Sequence, residues 1–404
     1  MNGGNGGSSE VAKNVDIDVD AASKRFSLYV HIPYCQRRCP YCDFNAYAPG
    51  AWPEDRYTEA LLAEIRQASE TAPWSSGEVG TIFFGGGTPS LFAPASIGRI
   101  LAGIADRFPI ATDAEITLEA NPGTVRLAAL CGFRAAGVNR LSFGIQSLND
   151  RHLRTLGRIH SADEARTAVA LAREAGFDAV NTDFMFGIPG QSPEEWAADL
   201  RAALALDPGH ISAYNLTYEE GTAFHAWRAT GRLVPAAEDD EVTMYRETQA
   251  TLAAAGYEQY EISNYARAGR ECRHNITYWR RQPYLGIGAG AHSFAPTLPW
   301  GHRWSNARPP GLYMDLVGRQ GRARVSEERP TREEAIGELV FLGLRLREGI
   351  DLESFAGAFG TTLEDARPAL RRFLDDGLLE RADVRLRLTG QGLLHADTLF
   401  AALM

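Results

Sequence analysis

Three of the five cysteines in this 404-residue sequence lie within eight residues, at Cys35, Cys39 and Cys42. This C-x3-C-x2-C segment directly follows a predicted strand. Structural zinc takes four ligands and ferredoxin-type clusters take four thiolates, but the next histidine downstream is the distant His152. Three thiolates in one loop can instead hold three corners of a 4Fe-4S cluster and leave the fourth iron open to an external ligand. The spacing therefore favours such a cluster over zinc.

A second group of polar or flexible residues follows the predicted strands further along the chain. A glycine triplet between Phe84 and Thr88 allows either a tight turn or a close approach of backbone to a ligand. Later strands end near acidic, amide and cationic side chains, each of which taken singly is usually a cap or a surface charge. Because the carboxyl ends of strands form the active face of α/β barrels, we expect these residues to converge there. The set comprises Gly86, Gly87, Thr88, Glu119, Gln146, Arg158 and Asp183.

The elements that must position these residues alternate between short apolar runs and amphipathic helical segments. Predicted strands cover residues 28–32, 79–84, 115–119, 138–145, 179–186 and 210–216. Predicted helices cover 54–70, 94–107, 124–136, 161–175 and 192–206. Two of these helices begin with capping boxes, Ser161 with Glu164 and Ser192 with Glu195. Six such units in series predict an α/β fold, a partial (βα)6 barrel whose parallel strands are joined by right-handed crossovers.

Changes in pattern along the chain predict four regions. Residues 1–25 lack an apolar period and are expected to be a disordered tail, residues 26–220 form the barrel core, and residues 221–310 are a connecting region packed on the barrel. Residues 311–404 are expected to form a helical, winged-helix-like domain with helices at 331–347, 351–358 and 362–376 and a strand pair around 378–388. Winged helices often bind DNA, but four acidic side chains against three arginines in 362–376 favour a structural or substrate-covering role.

Composition and charge exclude several functional classes. Hydrophobic residues make up 45% and charged residues 23%, which is ordinary for a globular protein. A formal net charge of −10 argues against tight sequence-independent binding to nucleic acid, because such binding depends on neutralising phosphates. No run approaches the roughly 20 apolar residues of a transmembrane helix, and the N-terminus lacks the basic-then-apolar order of a signal peptide. We therefore expect a cytoplasmic protein without a nucleic-acid partner or transmembrane segment, and peripheral membrane association stays open.

Four segments together identify a resemblance that covers nearly all of the chain from Tyr29 onward. They are Tyr-Val-His-Ile-Pro-Tyr-Cys35, Gly-Gly-Gly-Thr-Pro-Ser90, Leu-Ser-Phe-Gly-Ile-Gln-Ser147 and Leu-Gly-Ile-Gly-Ala-Gly-Ala-His-Ser293. With them, the sequence resembles the branch of radical S-adenosylmethionine (SAM) proteins that contains oxygen-independent coproporphyrinogen III oxidases and heme chaperones. The resemblance implies that the open iron of the cluster binds the amino and carboxylate groups of SAM.

The same resemblance implies SAM contacts at Tyr29 and at the residues already singled out after the predicted strands. They are Tyr29, Gly86, Gly87, Thr88, Glu119, Gln146, Arg158 and Asp183. The residue types fit, because SAM needs carboxylates for its amino and ribose groups and a cation or amides for its carboxylate. Tyr41, between two cluster cysteines, is placed to pack against adenine. Tyr29 lies either over the sulfonium or in the core.

Two markers separate the branches of this family. The oxidases carry another cysteine two residues after the third cluster ligand, where this chain has Phe44. The chaperone branch has Cys-x-Phe there together with a His-Asn-x-x-Tyr-Trp motif, which residues 274–279 match. A neutral imidazole is a good iron ligand, so His274 is either a heme contact or a core histidine beside Tyr278 and Trp279. Both markers favour a heme chaperone.

The resulting hypothesis is a protein that binds heme and delivers it to apo-hemoproteins such as respiratory enzymes. It would carry a SAM-bound 4Fe-4S cluster that depends on an external reductant. The alternative is radical decarboxylation of coproporphyrinogen III to protoporphyrinogen IX, so the sequence leaves open whether the protein is an enzyme. A third class, radical modification of RNA, is disfavoured by the acidity of the chain.

Overall fold

A mixed sheet forms the centre of the structure, a computed structural model that describes residues 25–297 and 299–404. The predicted tail lies outside the described residues except for Arg25, which begins the first strand. Six strands run parallel, each paired with the next along the chain. They are β1 (Arg25–Ile32), β2 (Glu78–Gly86), β3 (Ile110–Ala120), β4 (Arg140–Gln146), β5 (Ala179–Phe186) and β6 (His210–Asn215). The predicted partial (βα)6 barrel is confirmed.

The connections between these strands carry six helices. They are α1 (Glu54–Ser69), α2 (Pro94–Ala105), α3 (Leu127–Ala136), α4 (Asp150–Thr155), α5 (Ala162–Glu174) and α6 (Pro193–Ala205). Both predicted capping boxes are present, since Glu164 N and Glu195 N donate to the hydroxyls of Ser161 and Ser192 at 3.2 and 3.3 Å. The helix α4 was not predicted, because its six residues are too few to show a helical period.

The region after β6 extends the same sheet at both edges instead of only packing on it. It contains α7 (Ala223–Ala229), α8 (Glu238–Ala254), β7 (Glu258–Gln259), β8 (Asn264–Ala266), α9 (Arg273–Trp279), β9 (Tyr284–Ile287), β10 (His292–Ala295), β11 (His302–Asn306), α10 (Pro310–Gln320) and β12 (Arg324–Glu328). The sheet order over the described residues is β12-β11-β10-β9-β1-β2-β3-β4-β5-β6-β8-β7. Strand β9 is parallel to β1, whereas β8 is antiparallel to β6. Both edges of the six-stranded barrel are therefore paired.

The main hydrophobic core lies between the parallel strands and the helices around them. Leu28, Phe84 and Phe143 of the strands are fully buried, and so are Ile97 and Leu200 of the helices. Because side chains alternate along a strand, the neighbouring positions of the same strands face the interior of the barrel. The core thus fixes which polar residues can meet at the centre of the barrel.

A separate hydrophobic cluster, with buried residues from Ala335 to Leu403, marks the C-terminal domain. Its elements are α11 (Arg332–Gly343), β13 (Ile350–Asp351), α12 (Leu352–Phe359), α13 (Leu363–Ala366), α14 (Leu370–Asp375), β14 (Leu379–Ala382), β15 (Arg385–Leu388), α15 (Gly390–Leu394) and α16 (Ala396–Leu403). The strands β13, β15 and β14 form a small antiparallel sheet. The single helix predicted at 362–376 is two helices, because Pro368 disfavours helical backbone at Arg367, which adopts φ −135° and ψ 77°.

Residues 310–328 pack with the large sheet and not with the C-terminal domain. Arg56 of α1 pairs with Asp315 of α10 at 2.6 Å, and Tyr313 OH donates to the buried Glu64 carboxylate at 2.7 Å. The predicted boundary at 311 therefore falls one residue inside a helix, because Pro310 begins α10. Over the described ranges, no helix combines the length and the apolar character that crossing a membrane requires.

Candidate functional site

A cavity of about 1080 Å³, here called the first cavity, opens at the carboxyl ends of the parallel strands. Its wall contains every residue that the sequence singled out for the cluster, SAM or heme. They are Cys35, Cys39, Cys42, Tyr29, Tyr41, Gly86, Gly87, Thr88, Glu119, Gln146, Arg158, Asp183 and His274. The fold thus brings the predicted set together, as the end of a parallel sheet requires. What each residue does toward a ligand stays a prediction.

The three cysteines lie on the loop between β1 and α1, here called the cysteine loop. Cys35 N donates to Tyr47 O at 2.9 Å, and Cys42 N donates to Cys39 O at 3.2 Å. From the turn after β2, Thr88 Oγ1 lies 3.6 Å from Cys35 Sγ. Burial raises the pKa of Cys42 to about 11, so the thiolate form that a metal cluster requires is favoured only when the metal is bound.

The donor chemistry of this loop fits a 4Fe-4S cluster. Cys35, Cys39 and Cys42 are free thiols that are partly exposed. In the part of the chain that the structure describes, no group of three or more His, Cys, Asp or Glu side chains is arranged to hold a metal ion. A cubic cluster does not need its three thiolates to converge on one point, because each thiolate binds a different iron. The site suits a cluster better than a single zinc ion.

Arg158 joins the cysteine loop to the end of β4. Its Nη1 lies 3.6 Å from Cys39 Sγ, and its Nη2 donates to Gly144 O at 2.6 Å. Its Nε is buried and has no hydrogen-bond partner among the described residues. A buried guanidinium with a free N–H fits an incoming carboxylate, which it binds by a charge-assisted hydrogen bond. The carboxylate of SAM matches this requirement.

Glu119 and Asp183 provide the acidic side of the first cavity. Glu119 Oε2 accepts from Gly86 N at 3.1 Å, while Asp183 accepts from Ser142 Oγ at 3.2 Å and from Asn181 Nδ2 at 2.7 Å. Burial and the nearby Asp183 raise the pKa of Glu119 to about 8, and burial also raises the pKa of Asp183. Two buried carboxylates favour a positively charged ligand, because a cation between them stabilises their ionised forms. The charged amino group of SAM is such a cation.

Close backbone packing explains the glycines after β2. A Cβ atom on Gly86, whose φ is +112°, would lie 2.4 Å from His31 Cε1, and one on Gly87 would lie 2.6 Å from Tyr34 O. The glycines therefore let this turn approach β1 and the cysteine loop, which is a more immediate reason than contact with a ligand. Gln146 has a left-handed φ of +71°, which is uncommon for a residue other than glycine and recurs at functional sites.

The two tyrosines of the site have different surroundings. Tyr29 OH lies 3.0 Å from His31 Nδ1, and the Tyr29 ring stacks on Phe83 with ring centroids 6.2 Å apart. These contacts are those of a core tyrosine whose edge also lines the cavity. Tyr41 packs against Phe224 with centroids 6.1 Å apart. Its stacking on adenine stays a prediction.

His274 lies deep in the cavity wall on α9. It is 1% exposed, its Nδ1 lies 2.6 Å from Thr81 Oγ1, and its Nε2 lies 2.8 Å from Tyr278 OH. Burial lowers the pKa of His274 to about 3, so the imidazole is neutral. Binding of heme iron to either nitrogen would require one of these hydrogen bonds to break. The described conformation is the one expected of a core histidine.

Residues outside the set predicted for the cluster, SAM or heme also line the first cavity, in the cysteine loop and in the C-terminal domain. Phe44, at the position of the oxidase cysteine, is 63% exposed. Leu393, His395 and Thr398 of the C-terminal domain also line the first cavity. No local pattern could reveal these three residues, since their position depends on how the domain packs. The choice between a structural and a substrate-covering role for this domain stays a prediction.

Comparison with known proteins decides the family. Residues 29–203 match the Radical SAM superfamily, and residues 331–395 match the HemN C-terminal domain. The heme chaperone HemW of Escherichia coli (strain K12) is 40% identical to this chain over 92% of the chain and 96% of its own length. The heme chaperone HemW of Bacillus subtilis (strain 168) is 37% identical over 94% and 99%. The chain belongs to the HemW family.

HemW membership agrees with the resemblance found in the sequence and implies the radical SAM cofactors, a 4Fe-4S cluster and SAM, which the cavity residues fit. A mitochondrial protein of Mus musculus, radical S-adenosyl methionine domain-containing protein 1, is 37% identical over 95% of the chain and 88% of its own length. Among solved structures, coproporphyrinogen III oxidase (HemN) of Escherichia coli, a radical SAM enzyme, is similar with a TM-score of 0.81. It is 26% identical, with 96% of this chain and 92% of that chain covered. This chain and the oxidase HemN therefore share one architecture.

Proposed function

We propose that this protein is a heme chaperone, which binds heme and transfers it to apo-hemoproteins and which carries a SAM-binding 4Fe-4S cluster. The observation that carries the proposal is the 40% identity to the HemW heme chaperone of Escherichia coli, against 26% to the coproporphyrinogen III oxidase HemN. Phe44, in place of the oxidase cysteine, and the motif at 274–279 support the same choice.

The residues of the first cavity have distinct parts in this proposal. Cys35, Cys39 and Cys42 hold the cluster, which supplies an electron to SAM when it is bound and reduced. Arg158 binds the SAM carboxylate through its free Nε, and Glu119 and Asp183 bind the amino and ribose groups. The cover formed by the C-terminal domain limits the access of water to these groups.

The partners follow from the same function. Apo-hemoproteins such as respiratory enzymes are the proposed acceptors of heme, and an external reductant is the proposed electron source for the cluster. We place the protein in the cytoplasm, where peripheral association with a membrane would bring it to respiratory acceptors. Nucleic acid is not a proposed partner, because the chain carries a formal charge of −10.

Anaerobic titration of the cluster-loaded protein with heme tests the proposal. We expect saturable binding with a shift of the heme absorption band, followed by transfer of the bound heme to an added apo-hemoprotein. A His274→Ala variant reports whether the motif histidine contributes to either step. If the wild-type protein shows no saturable binding of heme, the chaperone function is wrong.

Oxidative decarboxylation of coproporphyrinogen III is the second candidate, and the TM-score of 0.81 to the oxidase HemN favours it. Incubation of the reduced, cluster-loaded protein with SAM and coproporphyrinogen III tests this activity. We expect no release of carbon dioxide, because Phe44 stands where the oxidases carry a cysteine. Carbon dioxide release with repeated turnover would establish the oxidase and overrule the chaperone markers.

A further inference from the structure

A smaller cavity of about 360 Å³, here called the second cavity, lies beside the first, next to β9. Its lining includes Phe44, Tyr278, Tyr284, His292 and Arg308. The two cavities share part of their walls, at Tyr29, Phe44, Gly86, Glu119 and Tyr278. The volume lies within the usual range for small-molecule sites, about 300–1,000 Å³. A ligand in the second cavity would therefore lie directly beside the candidate SAM site.

His292 differs from the other histidines near the second cavity because its ring is not engaged. His31 has both ring nitrogens near partners, with Nδ1 3.0 Å from Tyr29 OH and Nε2 3.0 Å from Asn45 O. His274 also has both nitrogens engaged, as described above. The exposed side chain of His292 makes no hydrogen bond to any residue that the structure describes. Partial burial in its pocket lowers the pKa of His292, which favours the neutral imidazole that binds metals.

A tight glycine-containing turn holds His292 at this cavity. Gly290 has a φ of +72°, and a Cβ atom there would lie 2.6 Å from Asn45 Nδ2. Asn45 Nδ2 donates to Ala289 O and to Arg308 O, both at 3.0 Å. Asn45 therefore ties three segments together: the cysteine loop beside Phe44, the turn before His292, and the backbone of Arg308. The fold places the aromatic ring, the imidazole and the guanidinium around one cavity.

The chemistry of this wall matches an iron porphyrin. The rings of Tyr278 and Tyr284 pack edge to face with centroids 4.7 Å apart, and Phe44 is largely exposed beside them. Arg308 is exposed and forms no ion pair with the described residues. A porphyrin presents an apolar face, a central metal and carboxylates at one edge. Aromatic rings, a free imidazole and a free guanidinium bind these three features respectively.

We propose that heme binds in the second cavity with His292 as the axial ligand of its iron, Arg308 paired with a propionate, and Phe44 against the porphyrin. The inference rests on the proposed heme-binding function and deepens it, because it assigns the iron to His292 and leaves His274 in its hydrogen bonds. The bond forms when a ring nitrogen donates its lone pair to the iron and displaces a weakly held water. No electron is transferred in this step.

Titration of the full-length protein with hemin and with iron-free protoporphyrin IX tests the role of His292. We expect His292→Ala to lower the affinity for hemin about 10-fold and to remove the resonance Raman signature of a histidine–iron bond. Its affinity for protoporphyrin IX should stay unchanged, and added imidazole should restore the signature with hemin. The matched control is His225→Ala, another exposed histidine, which should behave as the wild type.

Heme dimethyl ester tests the role of Arg308 separately. Arg308→Gln should weaken the binding of hemin about 10-fold but leave binding of the ester unchanged, whereas Arg319→Gln, a second exposed arginine, should alter neither. Circular dichroism of each variant verifies its fold. If His292→Ala keeps the histidine–iron signature and His274→Ala loses it, the assignment to His292 is overturned and the chaperone function stands. If the wild type binds no heme, the chaperone function itself fails.

Discussion

Glu64 is a buried carboxylate of α1, outside the candidate site, that links several segments of the sheet layer. Its Oε2 accepts from Gly288 N at 2.9 Å and from Tyr313 OH at 2.7 Å, and its Oε1 accepts from Asn306 Nδ2 at 2.6 Å. Three donors favour the ionised carboxylate, but burial outweighs them and raises the pKa of Glu64 to about 7. The stability of the protein should therefore respond to the titration of this group.

We expect Glu64 to make the free energy of unfolding fall as the pH rises from about 4.5 to about 7. In that window the unfolded chain has lost the Glu64 proton while the folded chain still binds it, so a rise in pH favours unfolding. The difference corresponds to about 3 kcal/mol. Urea unfolding of the wild type and of Glu64→Gln at pH 5 and pH 8 measures this contribution, which the variant should lack.

Glu59→Gln provides the control for this measurement. Glu59 lies on the same helix but is exposed and pairs with Arg99 at the surface. Its removal should leave the pH dependence of the wild type in place. If Glu64→Gln also keeps the full pH dependence, Glu64 does not titrate in this window.

At the scale of single residues, the sequence reveals those whose chemistry depends on type and local spacing. Cys35, Cys39 and Cys42 are of this kind, because their spacing favours a cluster over zinc. The sequence does not reveal the hydrogen-bond partners of Glu64 or the free ring of His292, since both depend on contacts between residues more than 200 positions apart. Such contacts leave no local pattern in the sequence.

At the scale of elements, the turn after β2 and the cysteine loop form one packed unit. Gly87 N donates to Ile32 O at 2.9 Å, and Thr88 N donates to Tyr34 O at 2.8 Å. Gly86 completes the contact by leaving room for the His31 ring. The conformation of the cysteine loop therefore depends on a turn about fifty residues further along the chain.

Gly86→Ala should cost about 1–3 kcal/mol of stability and sharply reduce the iron bound after anaerobic cluster reconstitution. The new Cβ atom would be forced against the His31 ring, whose Nε2 lies 3.0 Å from Asn45 O in the cysteine loop. Gly50→Ala is the matched control, because Gly50 also has a positive φ, +79°, but no atom lies within 4 Å of its Cβ position. Equal iron content in the two variants would show that the turn does not support the loop.

Ser192→Ala should lower the stability of the protein by about 1 kcal/mol. The change removes the hydroxyl that accepts from Glu195 N at the start of α6. Thermal unfolding measures the loss. Ser69→Ala is the control at a helix end without a cap of this kind, since the half-buried Ser69 donates its hydroxyl only to Arg66 O. A loss in the control as large as in Ser192→Ala would argue against the capping box.

Elements long enough to show a repeating apolar pattern could be predicted from the sequence, and shorter elements could not. The six parallel strands and the capped helices α5 and α6 were found because apolar spacing and cap residues mark them. The strands β7 to β12 have only two to five residues each, which is too short to carry a period. Their addition to both edges of the sheet became visible only in the structure.

At the scale of the whole molecule, Glu338 of α11 holds the C-terminal domain against the large sheet. Arg281 Nε lies 2.7 Å from Glu338 Oε2, and Arg303 of β11 pairs with the other oxygen. The side chains of Arg281 and Glu338 are only 14% and 15% exposed. Because the same domain brings Leu393 and His395 to the first cavity, these ion pairs help to hold the cover of the site in place.

Glu338→Ala should destabilise the protein by about 3 kcal/mol, because the poorly solvated Arg281 guanidinium loses its carboxylate partner and Arg303 keeps only the more distant Glu328. We also expect faster hydrogen exchange in α15 and α16 and faster release of SAM from the cluster-loaded protein. Glu333→Ala is the control, since Glu333 pairs with Arg367 within the domain itself. Unchanged exchange in α15 and α16 of Glu338→Ala would mean that other contacts dock the domain.

Two supports of the cysteine loop come from late in the chain. Asn45, three residues after Cys42, donates to the backbone oxygens of Ala289 and Arg308. Strand β1, which leads into the loop, pairs with β9, which begins at Tyr284. During synthesis, the ribosome must therefore complete more than two thirds of the chain before the cysteine loop acquires both of its supports. A nascent chain that ends before Tyr284 already contains all three thiols but lacks one wall of their site. We therefore expect the cysteine loop to bind its cluster stably only after most of the chain has been synthesised.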